Sequence, residues 1–241
     1  RLLLAASLLA APLSAQQFSF PFSVGEALHY QVRIARFGDV GTGKMWIEGP
    51  LVEQGVPVWR MRFEMNAGKG PFRATDRTSS WFDPRRFATL RFQKQERHVL
   101  SRSDEHVTID RATHRWTDTD GGSGALGSEL PLDELSFLYL LRTLPLERDT
   151  VIRIDRHFDA ARNPTIIRIA GRDTITTPAG IFRTRIIEMD VRDPKRYKGI
   201  GTIRIHLDEN ECHVPVRIES RMPVLGITTL TLTGWSHSPR Y

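Results

Sequence analysis

The chain has almost no cysteine: Cys212 stands alone, which excludes an intramolecular disulfide and leaves stability to packing. Lysine is scarce too. Five of the 34 basic residues are lysines (Lys44, Lys69, Lys94, Lys195 and Lys198), so 29 are arginines, a guanidinium-rich surface able to grip carboxylate or phosphate bidentately, although arginine-biased coding accounts for the same count. Catalytic signatures are missing as well. There is no P-loop, no dinucleotide fingerprint, no His-Glu-x-x-His and no paired Cys-x-x-Cys, and Gly121-Gly122-Ser123-Gly124-Ala125 lacks the last glycine of a nucleophile elbow. An enzyme is therefore left without a motif. No apolar run reaches the roughly 20 residues that a spanning helix needs, which removes a transmembrane anchor from the mature chain.

What is present begins with RLLLAASLLAAPLSAQQ, an apolar run from Leu2 to Ala11 followed by the small-residue ending Leu13-Ser14-Ala15. This predicts a secretory signal peptide over residues 1–15, cleaved after Ala15, with no nearby cysteine to take a lipid. Loss of Arg1 leaves 33 basic against 28 acidic residues, a formal charge of +5 on a mature chain of residues 16–241, read as a single β-rich domain. The basic residues are dispersed rather than clustered, which argues against nucleic acid as a partner.

The dominant pattern has a period of two. Leu28, Tyr30, Val32 and Ile34 alternate with polar residues, as do Trp59, Met61, Phe63 and Met65. The alternation returns over 151–154, 166–169, 203–207 and 214–218, separated by turn chemistry such as Gly41-Thr42-Gly43, Gly49-Pro50 and Asp83-Pro84. With no helix-sized segment between successive strands, a parallel βαβ fold is excluded and an antiparallel sheet of many strands is expected. Residues 118–128 read as a mobile Gly-rich loop within it. One helix is expected near residues 132–144, with Pro131 in its first turn, Asp133 and Glu134 at its positive end and Pro145 as its stop. At about 100° per residue, Leu135, Phe137, Leu138, Tyr139, Leu140, Leu141 and Leu144 surround it with apolar side chains, so it is buried on all sides, and the concave face of a curved sheet is the place for it. A buried Arg142 then needs a carboxylate or carbonyl partner, and Glu26, beside Gly25 at the start of the first strand, is the candidate.

These segments carry a resemblance. Phe22-Ser23-Val24-Gly25-Glu26-Ala27-Leu28-His29-Tyr30 is similar to an F-x-x-G-E-x-L-x-Y opening, and Asp133 to Arg142 to a D-x-x-S-x-x-Y-x-x-R helix. Thr177-Pro178-Ala179-Gly180-Ile181-Phe182 matches a T-P-A-G-x-F turn, and His206-Leu207-Asp208 with Val214-Pro215-Val216-Arg217-Ile218 a closing L-S-x-D-x-x-x-x-P-V-x-I hairpin, with His206-Leu207 where that pattern tends to have Leu-Ser. In order and spacing these blocks resemble the exported bacterial family DUF3108, a domain of unknown function. The resemblance implies a periplasmic, mainly β fold, an open or half-closed antiparallel barrel around one helix, and no activity.

From the residues themselves, Thr177-Pro178-Ala179-Gly180 is a type I hairpin turn. His206, Asp208, Glu209, Glu211 and His213 could in principle bind metal or move protons, yet they match no zinc spacing and read as a solvated tip between strands. His98, His106 and His114 recur every eight residues and read as surface histidines. No cofactor and no metal is expected. The leading functional expectation is a non-catalytic periplasmic binding or carrier module for an apolar or amphipathic envelope ligand, a lipid among them. Its candidate ligand-binding residues are Trp59, Met61 and Phe63 on a strand and Leu138, Tyr139, Leu141 and Arg142 on the helix, all of which serve equally as closed core. The alternative is a scaffolding factor that contacts other envelope proteins, with an uncharacterised hydrolase third.

Overall fold

The computed structural model describes residues 19–99, 101–193, 200–222 and 226–236; the expected signal peptide lies outside them. Fourteen strands form one antiparallel sheet: β1 (Ala27–Ile34), β2 (Gly38–Glu53), β3 (Val56–Lys69), β4 (Phe72–Asp83), β5 (Ala88–His98), β6 (Ser101–Asp110), β7 (Arg115–Asp118), β8 (Ser123–Ala125), β9 (Thr150–Ile154), β10 (Thr165–Thr177), β11 (Gly180–Arg192), β12 (Ile200–Asp208), β13 (Pro215–Met222) and β14 (Gly226–Ser236). Among the described residues the single α-helix, α1 (Glu134–Leu141), lies between β8 and β9. The sheet order is β8-β7-β6-β5-β4-β3-β2-β1-β14-β13-β12-β11-β10-β9, so the first half of the chain runs outward from β1 to one edge while the second half starts at the other edge and returns to pair β14 with β1. The segment that carries α1 thus joins the two edges of the sheet.

Strand alternation is as the sequence predicts where a strand is central. Leu28, Tyr30, Val32 and Ile34 of β1 are at most 1% exposed, each adding roughly 1.5–3 kcal/mol of apolar burial. It holds at the edge strand β9 as well, where Ile152 and Ile154 pack against the core while Val151, 67% exposed, and Arg153 face outward. Register shifts between His29 and Tyr30, between Glu48 and Leu51, between Trp81 and Phe82 and between Ile169 and Arg172 bend the strands and add twist, which curls the sheet around its apolar face.

Curling brings the edges together without a continuous ladder. Leu126 bridges to Asp159 and Leu132 to His157, with backbone hydrogen bonds from Gly127 N to Phe158 O (2.9 Å), from Leu132 N to Arg156 O (2.6 Å) and from Phe158 N to Leu132 O (3.0 Å). Gly127 permits this approach, since a Cβ there would sit 2.5 Å from Asn163 Nδ2 and 2.7 Å from His157 O. A small second core of Phe92, Val107, Ile109 and Phe158, with Trp116 against it, lies under this seam, apart from the main core that surrounds α1.

The Gly-rich segment corrects one expectation. Instead of a loop throughout, it contains β8, paired with β7, because Gly121 turns the chain at φ 88° and Gly124 offers no Cβ, which would lie 2.8 Å from the indole nitrogen of Trp116. The Thr177–Gly180 turn is the expected hairpin, with the Thr177 hydroxyl accepting from Ala179 N at 3.1 Å.

Candidate functional site

The helix is shorter than its apolar run. Asp133 caps it in extended conformation, accepting from Leu135 N (2.8 Å) and Ser136 N (3.0 Å) while the Ser136 hydroxyl accepts from Asp133 N (2.9 Å), a capping box. Pro131 therefore falls outside the first turn, where its carbonyl accepts from Thr89 N at 2.8 Å. The Asp133 carboxylate also receives hydrogen bonds from Ser80 and Thr89 on β4 and β5, and burial holds its pKa above the usual carboxylate value despite those donors.

The other end of α1 is pinned by the expected ion pair. Arg142 Nη1 and Nη2 meet Glu26 Oε1 and Oε2 at 2.6 and 2.8 Å, a bidentate contact with side chains 1% and 0% exposed. The guanidinium also donates to Cys212 O (2.9 Å) and Pro21 O (3.2 Å) and lies against the rings of Phe22 and Tyr139. Burial opposes the charge on Arg142, but Glu26 outweighs it and the pKa rises. The 208–213 turn is not simply solvated: Asp208 is 4% exposed and accepts from Asn210 Nδ2 at 2.9 Å, and His213 Nδ1 reaches Arg142 O at 2.7 Å, because the C-terminal carbonyls of α1 need donors.

Between α1 and the curled sheet lies a cavity of about 200 Å³. Leu135, Phe137 and Leu138 of the helix, Met45 and Phe63, and Met189, Ile203, Ile218 and Leu230 from the second half of the sheet make it mainly apolar. One wall is polar. There Glu134 binds Lys94 through Oε2 and Arg162 Nη1 through Oε1 (2.8 Å), and Arg162 approaches Glu105 at 3.6 Å. Burial alone would raise the Glu134 carboxyl, but Lys94 and Arg162 bring it down to about 2, so it stays ionised. Asp76, on the same wall, pairs with His98 Nε2 at 2.7 Å, and His98 is held above its usual pKa by that bond. His157 is 5% exposed; its Nδ1 accepts from Asp159 N at 3.1 Å, while its Nε2 has no partner. Burial and, secondarily, Arg162 push it down to about 3. It is thus neutral, with its proton on Nε2, and an unpaired buried donor costs about 1–3 kcal/mol.

Of the sequence candidates, Phe63 and Leu138 line this cavity. Met61, Tyr139 and Leu141 are 0% exposed in closed core and Arg142 is tied to Glu26, while Trp59 joins an aromatic cluster with Phe20 (5.9 Å) and Phe22 (6.4 Å). Asp76, Lys94, Glu134, His157 and Arg162 were not foreseen. Two of them carried a signal: Lys94 shares the inward parity of Leu90 and Phe92, and Asp76 that of Ala74 and Phe82. His98, His106 and His114 do not form a row; His98 binds Asp76, His106 carries a buried, unpaired Nε2, and His114 sits in a turn 3.2 Å from Glu129. Among the described residues no group of three or more His, Cys, Asp or Glu could hold a metal, and no helix is long and apolar enough to cross a membrane.

The family model described as protein of unknown function (DUF3108) matches residues 29–233. No curated protein matches the chain. Among solved structures, a β-barrel-like protein of the domain of unknown function DUF1849 from Brucella abortus is similar with a TM-score of 0.58 at 10% identity, over 90% of this chain and 99% of that one. At that identity the likeness is one of fold. A candidate lipoprotein from Parabacteroides distasonis (TM-score 0.31, 11% identity, 90% and 97% covered) and a candidate exported protein with a YmcC-like fold from Bacteroides fragilis (0.33, 12%, 91% and 99%) superpose too loosely to carry an argument.

Proposed function

This chain belongs to the DUF3108 family, and we propose that it is an exported, periplasmic binding module whose curled sheet receives the apolar part of an amphipathic envelope molecule beneath α1. The observation that carries this reading is the mainly apolar cavity with one ionised wall, the arrangement of a site that takes a chain and orients it by a few polar groups. At about 200 Å³ the cavity takes part of an amphiphile, whose remainder lies outside it. Export is supported by the Leu2–Ala11 run and the Leu13-Ser14-Ala15 ending.

The test is native mass spectrometry of protein prepared without detergent from a periplasmic fraction, alongside titration with the neutral dye N-phenyl-1-naphthylamine. The wild type carries an extractable amphiphile or binds the dye, and Leu138→Trp, which takes up part of the cavity, weakens both while the protein remains folded. A bare mass with no dye binding overturns the proposal and moves the scaffolding reading ahead, for which the free edge of β9 with its exposed Val151 offers the contact.

A further inference from the structure

We propose that the polar group selected by this cavity is a neutral hydrogen-bond acceptor, the carbonyl of an ester or amide at the head of a short acyl chain, and that His157 Nε2–H receives it. This rests on the reading of the cavity as a binding site. The donor is fixed by the backbone. Asp159 N can only donate, so Nδ1 of His157 must be the bare nitrogen and the single proton of the neutral ring sits on Nε2. His157 lines the cavity, and its buried Nε2–H has no partner within the protein. The ring is held in place by stacking on Phe137 (6.5 Å between centroids) and by contact with Phe158 (4.5 Å), so the N–H is presented in one direction.

The charges of the same wall exclude the more obvious guest, a free fatty acid. Its two buried cations, Lys94 and Arg162, are turned onto Glu134, with only Arg162 Nε–H left without a hydrogen-bond partner, and Asp76, Asp190 and Asp193 add three carboxylates to the lining against the exposed Arg192. An incoming carboxylate would lose its water and meet a lining with four carboxylates against three Lys and Arg side chains, whereas a carbonyl loses little solvation and satisfies His157. An ammonium head finds no free counter-charge on Glu134, and it cannot accept from Nε2–H. The chain then runs past Leu138 and Phe63 toward Ile203 and Leu230.

The experiment is displacement of N-phenyl-1-naphthylamine by methyl heptanoate and by heptanoate at pH 7.5, on the wild type, His157→Phe and His157→Gln. The ester competes at a concentration at least tenfold below the carboxylate; His157→Phe costs the ester about tenfold and leaves heptanoate unchanged; His157→Gln, which keeps an N–H donor, recovers most of the loss. On the wild type alone, isotope-edited infrared spectra of the bound carbonyl-labelled ester show its stretch moved to lower frequency than in hydrocarbon, which keeps the test decisive if a variant does not fold. Equal competition by heptanoate, an ester affinity indifferent to His157→Phe, or an unshifted carbonyl band overturns the inference while dye binding still stands. Failure of the dye and both competitors to bind overturns the binding-module reading beneath it.

Discussion

Replacing Arg142 by leucine takes the bidentate cation from the Glu26 carboxylate, whose side chain is 0% exposed, and removes the donors held by Cys212 O and Pro21 O. Breaking a buried pair from one side costs about 3–5 kcal/mol, and in a domain of this size each kcal/mol moves the melting temperature by roughly 2–4 °C, so a fall of about 6–20 °C is expected. Glu26→Leu strands the guanidinium instead, with a somewhat smaller loss because Arg142 keeps its two carbonyls. The double variant removes both charges and recovers much of the stability, yet stays about 1–3 kcal/mol below wild type through the two carbonyls left without donors. Urea unfolding of the four proteins closes the cycle, and a coupling energy of at least about 2 kcal/mol is expected. Additive single losses, with a coupling near zero, would refute the assignment of this pair as the lock of the helix.

Two further outcomes follow from the wall and the seam. His157 is neutral in the folded protein down to about pH 3 but protonates near 6.5 when unfolded, so its contribution is complete above 6.5 and is lost as pH falls toward 3; Glu134, depressed from 4.5 to about 2, adds a loss that begins only below 4.5. Between pH 6.5 and 5, therefore, the melting temperature of His157→Phe declines less steeply than that of the wild type, and parallel slopes would contradict the burial of a neutral imidazole. Gly127→Ala drives a methyl into Asn163 and the His157 carbonyl and lowers stability by about 1–3 kcal/mol, with faster amide exchange at Phe158 than at Leu28; an unchanged midpoint in urea counts against the close packing of the seam.

Much of the architecture was legible because it depends on local period. The strands, the all-round apolar helix and even the Glu26–Arg142 pair followed from residue alternation and from the cost of an unpaired buried charge. The cavity was less legible. Trp59, Met61 and Phe63 share a face of β3, but four residues along a strand span about 13 Å, so one face passes from the aromatic cluster through closed core to the cavity. Periodicity names a face and not a place along it. His157 lies in the irregular stretch between β9 and β10, where no period exists to read, and the walls from β11 to β14 meet β2 and β3 only because the sheet curls. The residues that signalled the family blocks, Glu26, Asp133, Ser136 and Arg142, are the helix cap and helix lock, which explains why they announced the fold and not the chemistry.

The seam gives the molecule a mechanical anisotropy. From β6 through β1 to β10, neighbouring strands are laced by ladders of five to eleven paired residues, as between β3 and β4, whereas at the join the three backbone bonds of the 126–132 segment to 156–158 are reinforced chiefly by side chains such as Arg156 on Leu130 O (2.8 Å) and Arg162 on Glu105. A coiled strap fastened by so short a buckle yields near the buckle first, so thermal breathing or an applied pull parts the wall there, next to His157 and the short β7–β8 pairing, long before the long ladders unzip.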